Sequence, residues 1–281
     1  MNDPLVTVGI PTYDQQPYLE IAIQSVLAQS YCNIEIIVAE DSINENAKKN
    51  VNELKIKYPS IKFIVNPKHL GRVANYKYLL TEHARGELYI NLDGDDYFTN
   101  KDFIKNAVEI ICLEGINNVL FYQGAHIYKS IDIEKLIAPN LKNITVVLSA
   151  KNYINNFFKI RHFSHMSTLY NRREAINSGF YEKDIISSDL FSFLKLAVSE
   201  PDKKIILSQV ISGVWLQHGN NISGTYSISK HFKNFKLYTD IFLKQWGIIG
   251  FSKASSSVWF IKSFIFYWLW YVKHVFKNKR V

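Results

Sequence analysis

Three carboxylates arrive within four residues at Asp93-Gly94-Asp95-Asp96, directly after the apolar run Tyr89-Ile90-Asn91-Leu92. Like charges packed that closely repel one another and cost folding stability unless a cation or a hydrogen-bonding ligand sits among them. Hard oxygen ligands at i and i+2, with Gly94 between them to permit a sharp turn, suit Mg²⁺ or Mn²⁺ held partly by a substrate phosphate. A solvated Asp-Gly turn closing a strand would use the same residues. The rest of the chain favours the cation.

The carboxylates need a scaffold, and the hydropathy pattern outlines one. Residues 6–10 and 34–39 read as strands, the second rich in β-branched side chains. Residues 18–28 form an amphipathic helical pattern, and 48–58 another that stops before Pro59. A short strand over 62–65, a helix over 72–83 and a strand over 88–92 lead to the acidic turn. Strands alternating with helices of about 10–15 residues predict an α/β fold: a Rossmann-like, doubly wound, mostly parallel sheet with helices on both faces. Ligands of such sheets bind at the carboxyl ends of the strands. Tyr13, Asp41 and the Asp93–Asp96 group all fall just past predicted strand ends. Three strands therefore deliver polar groups to one edge.

The 281 residues, 47% of them hydrophobic and 21% charged, suit one large globular α/β domain or a domain with an appendage. Cys32 and Cys112 fit no metal-binding spacing and read as cytosolic thiols. Met1-Asn2-Asp3-Pro4 runs straight into the first strand, so no signal peptide is expected. The net charge of +8 is unevenly spread. After Asp240 there are seven basic residues and no acidic one, leaving 26 basic against 25 acidic residues before that point. A nearly neutral body argues against a nucleic-acid-binding core, so no nucleic-acid partner is expected.

The basic tail also carries Trp259, Phe260, Phe264, Phe266, Tyr267, Trp268, Trp270, Tyr271 and Phe276. Its longest uncharged stretch, residues 263–272, falls short of the roughly 20 residues a spanning helix needs. On a helix, Lys262, Lys273, Lys277 and Arg280 form a basic stripe beside the aromatic belt. That pattern predicts a helix lying in a membrane interface and drawn to anionic lipid. A helix packed on the core, or a dimer contact, is the alternative.

The segments Val6-Thr7-Val8-Gly9-Ile10-Pro11-Thr12-Tyr13-Asp14, Ser25-Val26-Leu27-Ala28-Gln29-Ser30 and Ile36-Ile37-Val38-Ala39-Glu40-Asp41-Ser42 resemble the start of a family 2 glycosyltransferase. The family pattern is a strand ending Pro-x-Tyr-Asn, a helix ending Ser-x-Leu-x-Gln and a strand ending Asp-Asp-x-Ser. Asn66, Gly71, Asn75 and the acidic turn continue the likeness, which is close over residues 5–115 and looser over 160–225. Asp14 stands for the usual Asn, Glu40 for the usual first Asp, and Ser42 arrives one position early.

The resemblance implies a GT-A fold, a UDP-sugar donor, and Mn²⁺ or Mg²⁺ as cofactor. It implies that Pro11 and Tyr13 line the base pocket and that Asp41 accepts a hydrogen bond from uracil N3–H. Asp93 would approach the ribose or the metal, Asp95 would be the main metal ligand, and Asp96 would support the metal or the sugar. Arg72 and Asn75 join the nucleotide-sugar set. His218, in Trp215-Leu216-Gln217-His218-Gly219-Asn220-Asn221-Ile222-Ser223, resembles the family's His-x-x-Asn-x-Ser segment and would add a metal ligand or a diphosphate contact. Asp189 follows Ser178-Gly179-Phe180 and precedes an apolar helical run, the place of the catalytic base, with Glu182 and Asp184 as next candidates.

Each residue has an ordinary structural alternative. Tyr13 could be a strand-end aromatic, Asp41 and Asp189 helix caps, Arg72 a surface cation and His218 a loop histidine. His162 and His165, in the 161–170 segment, sit where an acceptor could dock, but each reads first as a buried structural residue. The expected organisation is a GT-A domain over 1–225, with a nucleotide-sugar half (1–115) and an acceptor and base half (116–225). A helical membrane-associating segment over 226–281 would follow.

The expected activity is metal-dependent, inverting transfer of one sugar to a saccharide acceptor. That acceptor would be lipid-linked, in bacterial O-antigen or capsule synthesis at the inner face of the cell membrane. The lack of a Gln-x-x-Arg-Trp segment argues against a processive polymer synthase. A nucleotidyltransferase would need a glycine- and lysine-rich phosphate loop near the N-terminus, and the chain has none. A non-catalytic membrane scaffold would tolerate loss of the acidic turn, which is intact.

Overall fold

Alternating elements build one sheet with a core on each side. The computed structural model describes residues 3–160, 162–185, 187–219 and 265; most of the 226–281 segment and its expected membrane helix lie outside them. In chain order come β1 (Val6–Thr12), α1 (Tyr18–Leu27), β2 (Ile34–Glu40), α2 (Glu45–Lys57), β3 (Lys62–Val65) and α3 (Arg72–Tyr78). A π turn (Leu79–His83) extends α3, and β4 (Leu88–Asn91) and the two-residue β5 (Tyr97–Phe98) flank the acidic turn. There follow α4 (Phe103–Glu114), β6 (Val119–Lys129), β7 (Glu134–Ile137), β8 (Thr145–Ser149), α5 (Ala150–Ile160), β9 (Thr168–Asn171), α6 (Arg172–Asn177), α7 (Ser188–Ser199) and β10 (Lys204–Leu216).

The strand order is β3-β2-β1-β4-β9-β6-β10-β5, with β7 on β6 and β8 on β10. The four strands from β3 to β4 are parallel, as are β6 and β10, while β9 runs antiparallel between β4 and β6. The doubly wound α/β expectation therefore holds. Its modifications are the antiparallel β5, β7 and β8 on β10 and β6, and the inverted β9, a strand that local periodicity does not reveal.

Side chains of β2 show why its run is continuously apolar. Ile37 and Ala39 enter one core, with residues of α3, α5, α6 and α7. Val38 enters the other, with residues of α1, α2 and α4. Helices thus cover both faces, as a parallel sheet requires. On α1, Leu19, Ala22, Ile23 and Val26 supply the buried stripe at three- and four-residue spacing. Helix α2 starts three residues earlier than its hydrophobic pattern, because the Asn44 side chain caps it by accepting from the Asn46 N–H at 3.0 Å.

Candidate active site

The sheet reverses its winding direction between β1 and β4, where the two parallel strands lie side by side. The acidic turn is stitched onto the end of β1: the Leu92 N–H donates to the Gly9 carbonyl at 2.9 Å, and the Gly94 N–H to the Pro11 carbonyl at 3.1 Å. A further bond from the Asp96 N–H to the Asp93 carbonyl at 2.9 Å closes the turn. Gly94 is required by close approach: a Cβ there would lie 2.6 Å from Gln15 Oε1 and 3.0 Å from Thr12. Pro11 is buried beneath this turn.

Beside it, Asp41 organises the loop before α3. Its Oδ1 accepts from Asn66 Nδ2 at 2.9 Å and the Leu70 N–H at 2.7 Å, and its Oδ2 accepts from the Gly71 N–H at 2.8 Å. His69 Nδ1 lies 3.0 Å from Oδ2, and the His69 ring packs 5.0 Å from that of Tyr13, which is 51% exposed. Tyr13 thus offers an open aromatic face next to a buried carboxylate. Asn75 is buried with both amide atoms engaged: Nδ2 donates to the Ala39 carbonyl and Oδ1 accepts from Asn66. It reaches Asp41 through Asn66.

The three departures from the family pattern are partners in space. Glu40 accepts from the Asp14 N–H at 3.2 Å and the Ser42 N–H at 2.6 Å. Asp14 holds a left-handed backbone at φ 53°, and its Oδ2 accepts from Asn44 Nδ2 at 3.1 Å. Burial pushes the Glu40 carboxyl above the ordinary range, against the pull of those two N–H groups.

The three turn carboxylates have different surroundings. Asp93 accepts from the Tyr76 hydroxyl at 2.8 Å and faces His165 Nε2 at 3.3 Å. Burial works to raise its pKa, but His165, Tyr76 and Arg72 together hold it below the ordinary value. Asp95 lies 3.0 Å from His218 Nε2, and Asp96 accepts from the Leu216 N–H at 3.0 Å. Burial first, and the neighbouring carboxylates second, push both Asp95 and Asp96 upward, Asp96 strongly. Crowding buried carboxylates has that cost, and a cation among them would relieve it.

A divalent cation fits this donor set. Asp95 and His218 present oxygen and imidazole nitrogen to each other, and Tyr18 stacks on His218 with ring centroids 4.7 Å apart. Asp93, Asp96 and His165 offer a second group of ligand atoms within 4.8 Å of one another. Mixed carboxylate and imidazole ligation is compatible with Mn²⁺, and carboxylates alone with Mg²⁺.

Asp189 lies in the first turn of α7, and its carboxylate stands 3.6 Å from His165 Nδ1. His165 therefore bridges Asp93 and Asp189, and its side chain is only 11% exposed. Burial works to lower the His165 pKa, but the two carboxylates outweigh it and raise it. Arg72 donates to the Ile185 carbonyl at 3.2 Å and lies over the Tyr76 ring at 5.5 Å. Burial opposes its charge, while Tyr76, Asp189 and Asp93 reinforce it. Arg72 thus belongs to the acidic cluster and is not a solvated surface cation. Glu182 is exposed and paired with Lys195 at 2.8 Å, and Asp184 is exposed; neither joins the cluster. His162 is buried with Nε2 2.7 Å from the Gly124 carbonyl, a structural setting as expected. His165 is half-buried, and its bridging position was not legible from its sequence context.

Comparison with known proteins gives the chain a kinship. The family described as Glycosyl transferase family 2 matches residues 7–180. An uncharacterized glycosyltransferase of Haemophilus influenzae is 34% identical over 100 residues, 36% of this chain and 40% of that protein. The UDP-Glc:alpha-D-GlcNAc-diphosphoundecaprenol beta-1,3-glucosyltransferase of Escherichia coli is 30% identical over 222 residues, 69% of this chain and 84% of that protein. Among solved structures, S. aureus TarS 1–349 in complex with UDP-GlcNAc superposes with a TM-score of 0.69 at 16% identity, covering 90% of this chain and 69% of that one. At that identity the likeness speaks for the GT-A fold alone. No described helix is long and apolar enough to cross a membrane.

Proposed function

The chain belongs to glycosyl transferase family 2, and on that premise we propose that it moves one sugar from a UDP-sugar to a hydroxyl of a lipid-linked saccharide, with inversion at the anomeric carbon. The observation that carries this reading is the His165 bridge, which sets Asp189 one imidazole away from the Asp93–Asp96 turn. Proton acceptor and diphosphate site are thereby neighbours. Asp189 takes the proton of the acceptor hydroxyl as that oxygen attacks the anomeric carbon. The bond from that carbon to the UDP β-phosphate oxygen breaks on the opposite face, so configuration inverts. Tyr13 supports the uracil ring, and Asp41 receives its N3–H. When bound at Asp95 and His218, Mn²⁺ or Mg²⁺ supplies positive charge against the leaving diphosphate.

UDP as carrier is supported by the UDP-GlcNAc held by the S. aureus protein, and a lipid-linked acceptor by the substrate in the E. coli relative's name. Action at the inner face of the membrane, with the basic aromatic tail on anionic lipid, belongs to the same proposal. Co-sedimentation with anionic vesicles that weakens as salt rises checks the tail. Incubation with a panel of UDP-, GDP- and dTDP-sugars, with Mn²⁺ or with EDTA, checks the chemistry. Turnover of a UDP-sugar that stops with EDTA is expected, with the anomeric coupling of the product showing inversion. Turnover confined to another nucleotide, or a retained anomer, overturns the reading.

A further inference from the structure

One exposed aromatic group lies on the far side of the acidic turn from Tyr13. Trp215 is 37% exposed near the end of β10, and its register partner on the parallel β6 is Tyr128. Their rings meet edge to face, 5.5 Å apart. Strand β10 ties this pair to the reaction centre at its very next residues. The Leu216 N–H donates to Asp96, and His218 lies on Asp95.

Below the pair lie two buried imidazoles. His126, two residues before Tyr128 on the same face of β6, has its ring 5.9 Å from Trp215 and 5.6 Å from His162. Neither nitrogen of His126, nor Nδ1 of His162, has a hydrogen-bond partner among the described residues. Burial drives His126 down to about 3 and His162 down to about 4, so both are neutral near pH 7. A neutral imidazole offers one donor and one acceptor.

We infer that Trp215 and Tyr128 form a platform for a sugar ring of the acceptor, seated across the Asp93–Asp96 turn from the nucleotide. This rests on the glycosyltransferase reading above and names where its acceptor lies. The C–H face of a pyranose is apolar and faintly positive, which suits the negative face of an indole or phenol ring. The base subsite lies elsewhere: Tyr13 and Asp41 close β1 and β2, whereas Trp215 closes β10, separated from β1 by β4, β9 and β6. Aromatic walls with few polar groups are also the ordinary lining of ligand sites.

Saturation-transfer NMR with methyl glycosides of hexoses and N-acetylhexosamines tests the platform on the full chain. The measurement needs no nucleotide, so it stands whether or not UDP binds. Saturation centred on ring C–H protons of at least one glycoside is expected. It should fall at least about fivefold in Trp215→Leu, which keeps an apolar side chain without a π face. Trp215→Phe should retain part of it, and Tyr128→Leu should lower it. Calorimetry of UDP on the intact chain tests the donor reading separately. Undiminished saturation in Trp215→Leu, or no saturated glycoside with the intact chain, overturns the platform; the latter result would mean that another part of the chain, or a different partner, covers Trp215.

Discussion

His165 Nδ1 stands 3.6 Å from the Asp189 carboxylate, and the same imidazole turns its other nitrogen to Asp93 at 3.3 Å. A carboxylate at the start of a helix could serve only as a favourable charge on the helix dipole. Asp189 instead faces a largely enclosed ring shared with the acidic turn. Asp189→Asn is nearly isosteric and removes the proton acceptor. Sugar transfer should fall at least about 10²-fold, the usual contribution of general base catalysis. UDP affinity by calorimetry should stay within about twofold, because the base acts on the acceptor hydroxyl and not on the nucleotide. A variant with normal transfer would move the base elsewhere.

Asp95 carries the metal argument. Its carboxylate faces His218 at 3.0 Å, while burial and Asp93 raise its pKa. A cation that binds only the folded chain stabilises it by about 2.7 kcal/mol at a hundredfold excess over Kd. Thermal melts with and without Mn²⁺ should therefore show a rise of several degrees for the native chain. Asp95→Asn should abolish most of that rise and leave the metal-free melt unchanged or higher, since one repelling charge is gone. An equal Mn²⁺ shift in the variant would sink the assignment.

Much of the site was legible because its residues close strands. Tyr13 after β1, Asp41 after β2 and the acidic turn after β4 share an edge by the geometry of parallel winding alone. His165 was not legible. It sits in a single helical turn before β9, and nothing local in the sequence says that β9 inserts antiparallel between β4 and β6. That pairing brings His165 to Asp93, 72 residues away in sequence. Arg72 was likewise ambiguous, since its setting depends on the loop before α7 reaching back to α3. The Trp215 and Tyr128 pair depends on the parallel register of β10 with β6, which joins residues 87 apart.

Tyr18 should act on the metal without touching it. Its ring stacks on His218 at 4.7 Å with an 18° tilt, holding the imidazole toward Asp95. Tyr18→Ala removes the stack and frees the ring to other rotamers. Mn²⁺ affinity should fall about 10-fold, the lower end of the effect of losing a group that orients a metal ligand. Tyr18→Phe should restore it, since the stack needs no hydroxyl. Titration calorimetry with Mn²⁺ alone reads both variants. Tight binding in Tyr18→Ala would mean that other contacts orient His218.

Acid should destabilise the fold through His126 and His162. In the unfolded chain both take up protons near pH 6.5, whereas burial lowers them to about 3 and about 4 in the folded state. Their contribution to stability is complete above about pH 6.5 and is lost as pH falls toward 4, because the unfolded state then holds more protons. Two such groups give a slope of at most about 2.7 kcal/mol per pH unit. Glu40, Asp95 and Asp96 act in the opposite sense, since protonation relieves the burial of their charge first and their mutual repulsion second. Comparing a single-histidine variant with the native chain cancels those groups. His126→Phe keeps a ring against Trp215 and removes one titrating site together with two unpaired nitrogens. Its unfolding free energy by urea melts should equal or exceed the native value near pH 8, since two unpaired nitrogens are gone, and fall less steeply between pH 6.5 and 4. Parallel curves over that interval would show that the His126 ring is protonated in the folded chain, and the neutral floor beneath Trp215 would go with it.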